Sequence, residues 1–142
     1  MRKPEVETHC PCGSTLEYAN CCGRFHGGEA APTAEALMRS RYTAFTMQNE
    51  AYLLFTWHPS TRPQSVPFEA ATKWLGLTIK DSKVIDADNA EVEFIARYRV
   101  GGASAARGHE RSRFVREAGR WLYLDGKIVD GMTMDSSGHT RL

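Results

Sequence analysis

The stretch LTIKDSKVIDADNAEVEFIARYRV, residues 77–100, decides the fold. From Leu77 onward the apolar residues recur with a period of two, the spacing of a β-strand with two unlike faces. The turn-forming DADNA at 86–90 splits the stretch into two strands, 77–88 and 90–100. Two more strands follow with the same period, GHERSRFVRE at 108–117 and RWLYLDGKI at 120–128. The connections GGASAARG and EAGR are short, so successive strands pair antiparallel in a meander.

Upstream the period is helical. Ala36, Leu37, Met38, Tyr42, Phe45 and Met47 predict a helix over 34–48, with Thr33 as its N-cap. EAYLLFTW at 50–57 continues the helix or forms a short second one, and the two prolines of HPSTRP break it. PFEAATKWLG at 67–76 predicts a third, with Gly76 just past its end. A run of helices followed by a run of strands is an α+β domain, its helices covering one face of a curved sheet. The small-residue stretch GGEAAPT at 27–33 marks a boundary, dividing the chain into 1–28, 29–131 and a flexible tail at 132–142.

The first of these pieces holds all four cysteines, Cys10, Cys12, Cys21 and Cys22. The N-terminus lacks the apolar segment of a signal peptide, and no apolar run reaches the roughly 18 residues of a membrane span. The expected compartment is the reducing cytoplasm, where clustered cysteines read as metal ligands before disulfides. C-x-C and C-C pairs would also make strained rings. Four thiolates suit tetrahedral Zn2+, with His9 or His26 as alternatives to one sulfur. Ser14 is expected to cap a helical turn, with Glu17 as capping-box partner, and Gly23 to supply the exit. Adjacent Cys21 and Cys22 reach one ion only where the chain is helical or turned. Four thiolates and one Zn2+ carry −2, which moves the formal charge of the 142-residue chain from +1 to −1, and Arg24 is the expected compensation.

CPCGSTLEYANCCG is similar to the SEC-C motif, the small zinc motif at the C-terminus of the SecA translocation ATPase. The resemblance places its ligands at Cys10, Cys12, Cys21 and Cys22, and implies zinc and an interaction role. The blocks LMRSRYTAF, YLLFTWHP, WLGLTI, DADNAEVEFIARY and ERSRFVRE follow in the order of the YchJ-like family of bacterial proteins. That resemblance spans roughly residues 9–131. It implies a cystatin-like, nuclear-transport-factor-2-like (NTF2-like) cone of helices wrapped by a sheet, and no particular activity. Some members carry a second SEC-C motif at the C-terminus. This chain ends in DGMTMDSSGHTRL, without cysteine, so a function that needs two zinc modules is not expected.

The polar residues eligible for a site in the cone are Tyr42, His58, His109, Glu110, Arg111, Asp125 and Asp130. His58, between Trp57 and Pro59, is either a proton carrier or a loop tether. No nucleophile–base pair and no phosphate loop is legible, so no catalytic residue is assigned. Six arginines on neighbouring strands form a self-paired, solvated face, a binding patch, or a buried lining to a pocket. A hairpin centred on Ser104–Ala105 sets Arg99 opposite Glu110 and Glu93 opposite Arg116. With 18 basic and 17 acidic side chains, the chain is not expected to coat nucleic acid.

Two functions follow. In the first, a cytosolic, non-catalytic adaptor docks its zinc knuckle on a protein or ribonucleoprotein partner. In the second, the cone binds or transforms a small molecule. They separate on whether Phe45, Phe55, Trp57, Phe94 and Trp121 fill the cone. Phe25 is either an exposed anchor for the partner, flanked by Arg24 and His26, or packs back near Leu37.

Overall fold

The computed structural model describes residues 9–130. The tail expected at 132–142 lies outside the described residues. Three helices, α1 (Cys22–His26), α2 (Ala34–Thr46) and α3 (Glu50–Phe55), precede four strands, β1 (Thr72–Asp86), β2 (Asn89–Val100), β3 (Ala106–Glu117) and β4 (Arg120–Asp130). The strands form one antiparallel sheet in the order β1-β2-β3-β4. The α+β cone expected from the change of period is therefore present.

Thr33 caps α2 as expected, its hydroxyl accepting from the Ala36 amide at 3.0 Å. Asn49 caps α3 in the same way, accepting from Tyr52. α2 is buried on nearly every side. Leu37, Met38, Arg41, Tyr42 and Phe45 meet the cone, and Ser40 and Thr43 are covered as well. Opposite α2, the sheet presents Val92, Phe94, Phe114 and Tyr123, each at most 1% exposed. The sheet's other face carries Glu91, Glu93, His109, Arg111 and Arg113.

The helix expected over 67–76 is not formed. β1 begins at Thr72, and Trp74 pairs with Tyr98 in the ladder. The physical cause lies across the sheet. β2 runs on to Val100, and its β1-facing edge sets Arg99 opposite Lys73 and Val100 opposite Thr72, which extends β1 back to Thr72. As a strand residue, Trp74 also reaches Tyr42 and Phe45, with ring centroids at 5.7 and 6.1 Å. Gly76 marks a register shift, at φ +152°, and ends no helix.

The register of β2 on β3 also differs from expectation. Gly101 turns at φ +59° directly after Val100, so the loop closes earlier than Ser104–Ala105. Glu93 faces Arg111, five positions along β3 from the expected Arg116, and Phe94 faces Glu110. An odd slip exchanges the faces of a strand. Glu110 accordingly lies in the interior, 2% exposed, and not beside Arg99.

Candidate metal centre

The N-terminal loop is closed by its own backbone. The Cys10 amide donates to the Leu16 carbonyl at 2.7 Å, and His9 bridges to Glu17. Ser14 makes no capping box with Glu17. Its hydroxyl accepts from the Leu16 amide and lies 3.1 Å from Cys21 Sγ. A single 3-10 turn, Tyr18–Asn20, then brings the chain back to the first two cysteines. Cys21 has a non-helical backbone (φ −129°, ψ −112°), and Cys22 opens α1. The sharp change of direction between the two adjacent residues lets both sulfurs face one point. Gly23 sits inside α1 and supplies no exit. A β-carbon there would lie 2.7 Å from the Tyr18 carbonyl oxygen, so the glycine permits the close approach of the two turns.

All four cysteines are free thiols and buried. Their sulfurs all lie within 4.8 Å of one another, with Cys12–Cys21 at 3.6 Å and Cys21–Cys22 at 4.0 Å. Zinc–sulfur bonds of about 2.3 Å place the sulfurs of a tetrahedron about 3.8 Å apart, so the donor set fits one such ion. Without a cation the thiols conflict. Hydrogen bonds from Cys12 and then Cys22 hold the Cys10 thiol well below the usual range. The same bonds to Cys10 push Cys12 and Cys22 above it. A dication at the centre removes that conflict, because it favours all four thiolates together.

Neither histidine joins the cluster among the described residues. His26 is occupied elsewhere. Its Nε2–H donates to the Ser40 carbonyl at 2.9 Å, which leaves Nδ1 to accept from the Tyr18 hydroxyl at 2.7 Å. The ring packs on Tyr52 at 4.5 Å. Phe25 is 5% exposed and shares the core of Leu37, so the packing alternative holds and Phe25 offers no exposed anchor. Arg24 turns outward, paired with Glu29 at 3.1 Å and lying over the Phe25 ring at 4.8 Å. Its guanidinium bonds Glu29 and not the cysteine loop. The arginine at the cluster is Arg39, whose Nη1 donates to the Cys12 carbonyl at 2.8 Å.

The polar residues considered for a cone site are dispersed. His58 tethers a loop: Nδ1 accepts from the Ser60 amide at 3.0 Å and Nε2 donates to Glu117 at 2.7 Å. On the outer face of the sheet, His109 bonds Glu93 at 2.7 Å, and Arg111 bonds Asp81, Glu91 and Glu93. The His109 bond, reinforced by Arg111, holds Glu93 below the usual carboxylate range. Arg113 grips Asp125 with two bonds of 2.7 Å, and Arg116 lies 3.6 Å from Asp88. Those three arginines are thus self-paired. Tyr42 is buried in the core, and burial pushes its hydroxyl up to about 12. The side chain of Asp130 lies outside the described residues.

Inside the cone, Phe45, Phe94 and Trp121 are core residues, while Phe55 is 55% exposed beneath Arg120. Phe55 therefore does not fill the interior. The interior residue that the sequence reading missed is Arg41. It is fully buried, bonded to the Leu53 carbonyl and Thr56 Oγ1, between the rings of Trp57 and Tyr123 at 4.9 and 4.5 Å. The available signal was a charge on the stripe Leu37, Arg41, Phe45, where spacing of four demands an inward position.

Residues 10–24 match the SEC-C motif, and residues 33–126 match the family described as YchJ, middle NTF2-like domain. A UPF0225 protein of Xanthomonas oryzae pv. oryzae is 54% identical over 120 residues, covering 83% of this chain and 93% of its own. Another, from Cupriavidus pinatubonensis, is 56% identical over 129 residues, covering 86% and 90%. The solution structure of a SEC-C motif-containing protein from Rhodopseudomonas palustris superposes at TM-score 0.76 with 35% identity, covering 86% of this chain and 99% of that one. A crystal structure of a SEC-C motif-containing protein from Psychrobacter arcticus gives 0.71 with 28% identity, covering 88% and 85%. The SEC-C motif and the fold are thus shared features, and the chain belongs to the YchJ-like (UPF0225) family, a SEC-C motif joined to an NTF2-like domain.

Proposed function

We propose that Cys10, Cys12, Cys21 and Cys22 hold one Zn2+ ion and that the protein is a cytosolic, non-catalytic adaptor. The observation that carries this reading is the enclosure of four cysteines, none more than 8% exposed, with their sulfurs within 4.8 Å of one another. Four protein ligands complete a tetrahedron and leave no open position for a substrate, the pattern of a structural zinc. The bulk of Phe94, Phe114 and Tyr123 in the cone supports action at the surface rather than in a chamber. A crevice between the 29–31 segment and Trp121 has room for only about 10 Å3, the space of about one water.

The partner, a protein or a ribonucleoprotein, docks on the outward side of the metal loop. With Phe25 buried, an apolar side chain available there among the described residues is Leu16, 51% exposed. The test has two stages. Elemental analysis of protein purified under reducing conditions gives about one zinc per chain, and less than a tenth of an equivalent refutes the metal reading. Capture from lysate, with and without ribonuclease, then compares wild type with Leu16→Asp. A variant that keeps its zinc and Tm but loses the partner supports the surface. A partner retained by Leu16→Asp moves the interface away from the knuckle.

A further inference from the structure

A zinc ion with four thiolates is a dianion, and a buried dianion requires donors and a cation around it. The nearest arginine in sequence, Arg24, is engaged with Glu29. The groups that do face the cluster come from α2, the first helix of the cone. Thr43 Oγ1 lies 3.5 Å from Cys10 Sγ, and Thr43 is fully buried. One turn earlier on the same face, Arg39 gives Nη1 to the Cys12 carbonyl at 2.8 Å, while its Nε bonds Glu35 at 3.2 Å. Neither residue lies in the stretch 10–24 that matches the SEC-C motif.

Resting on the zinc reading above, we infer that Thr43 and Arg39 are positioning residues for the metal, so that the cone completes the site the motif begins. The Thr43 hydroxyl donates to the Cys10 thiolate. That bond draws charge from the sulfur and fixes its direction. Arg39 locks the turn at Cys12 and places a positive charge beside the dianion. Metal retention and the seating of the knuckle on α2 are then linked: each strengthens the other by the same factor.

The test uses the full chain. Zinc affinity is measured by competition with a chromophoric chelator, and the sulfur-to-metal charge-transfer band is read after cobalt substitution. Thr43→Val keeps the shape and removes the donor. It is expected to weaken zinc about tenfold and to move the cobalt band to lower energy, and Thr43→Ser restores both. Arg39→Met is expected to weaken zinc by a similar factor, with Arg39→Lys recovering part of it. Val92→Ala, in the sheet interior, lowers Tm and leaves zinc affinity unchanged, which separates positioning from general loss of stability. If wild type binds zinc while Thr43→Val and Arg39→Met bind it within twofold of wild type, the inference is overturned and the zinc site stands. If wild type holds no zinc, the metal reading itself fails and this inference goes with it.

Discussion

The molecule contains two cores built on opposite principles. The knuckle core is four sulfurs drawn from residues 10–22, with Tyr18 packed against them. The cone core runs from Phe25 to Tyr123 and is assembled from aromatic and aliphatic side chains far apart in sequence. A segment as short as the knuckle buries too little apolar surface to fold alone, so its order depends on a ligand. The cone has enough surface to be ordered by burial. The two meet on α2, through His26 to Ser40, Arg39 to Cys12 and Cys10 to Thr43. The difference teaches that they should fail separately, with the damage crossing only at that seam.

Chelation gives the largest expected effect. Metal binding supplies roughly 10 kcal/mol or more in small zinc modules, so removing it should unfold the knuckle outright. NMR signals of residues 9–26 should broaden or move, and those of Arg39–Thr43 should shift. The Trp74 and Trp121 indole signals should hold their positions. Collapse of the indole signals would show one core where two are described.

The reverse experiment damages the cone and spares the metal. Arg41→Met removes the bonds to the Leu53 carbonyl and Thr56, and takes a positive charge from an interior that also holds buried Glu110. Burial pulls the Arg41 guanidinium down to about 10, which still leaves it charged at neutral pH. Losing such a group costs about 3 kcal/mol, read as a lower urea midpoint. Zinc content should remain at one per chain. A cost below about 1 kcal/mol would mean that Arg41 is tolerated in the core and contributes little to it.

The same division explains what was legible in the sequence. The cysteine cluster could be read because its members are neighbours and their spacing is local. The strands were legible because alternation is local too. Features set by distant partners were not. Residues 67–76 carry helix-compatible residues, and pairing with the distant β2, as far as Val100, makes them strand from Thr72 onward. The β2–β3 register could not be read from charge, because acids and bases recur along both strands and several offsets pair them. Arg24 was the near arginine in sequence, but the arginine bonded to the cysteine loop is Arg39, from a distant helix.

Alkaline pH sharpens the comparison from within the cone. Tyr42 is buried, and its folded value of about 12 stands above the unfolded value near 10. The unfolded chain therefore loses this proton first. The stability it contributes is complete below pH 10 and falls as pH rises from 10 to about 12. The loss should reach about 1 kcal/mol by pH 11. Tyr42→Phe should flatten this part of the urea-midpoint profile. An unchanged slope in Tyr42→Phe would place the alkaline loss on other groups.

The smallest effects come from backbone strain, and one kind of substitution addresses both cores. The β3–β4 turn places Ala118 at φ +51° and Gly119 at φ +79°, the type I′ arrangement that favours Asn-Gly. Alanine in this region costs about 1 kcal/mol, so Ala118→Asn should raise stability by roughly 0.5–1 kcal/mol and leave zinc affinity alone. The metal loop carries its own strained residue, Thr15, at φ +70°. A β-branched side chain is poorly suited to that conformation. If the metal supplies the order of the knuckle, relief of strain there should appear in metal binding. Thr15→Asn is therefore expected to tighten zinc by about fivefold, the equivalent of about 1 kcal/mol, while the melting of the sheet is unmoved. A Thr15→Asn protein with a higher cone Tm and unaltered zinc affinity would show that the metal loop draws its order from α2, and the contrast between the two cores would have to be redrawn around that helix.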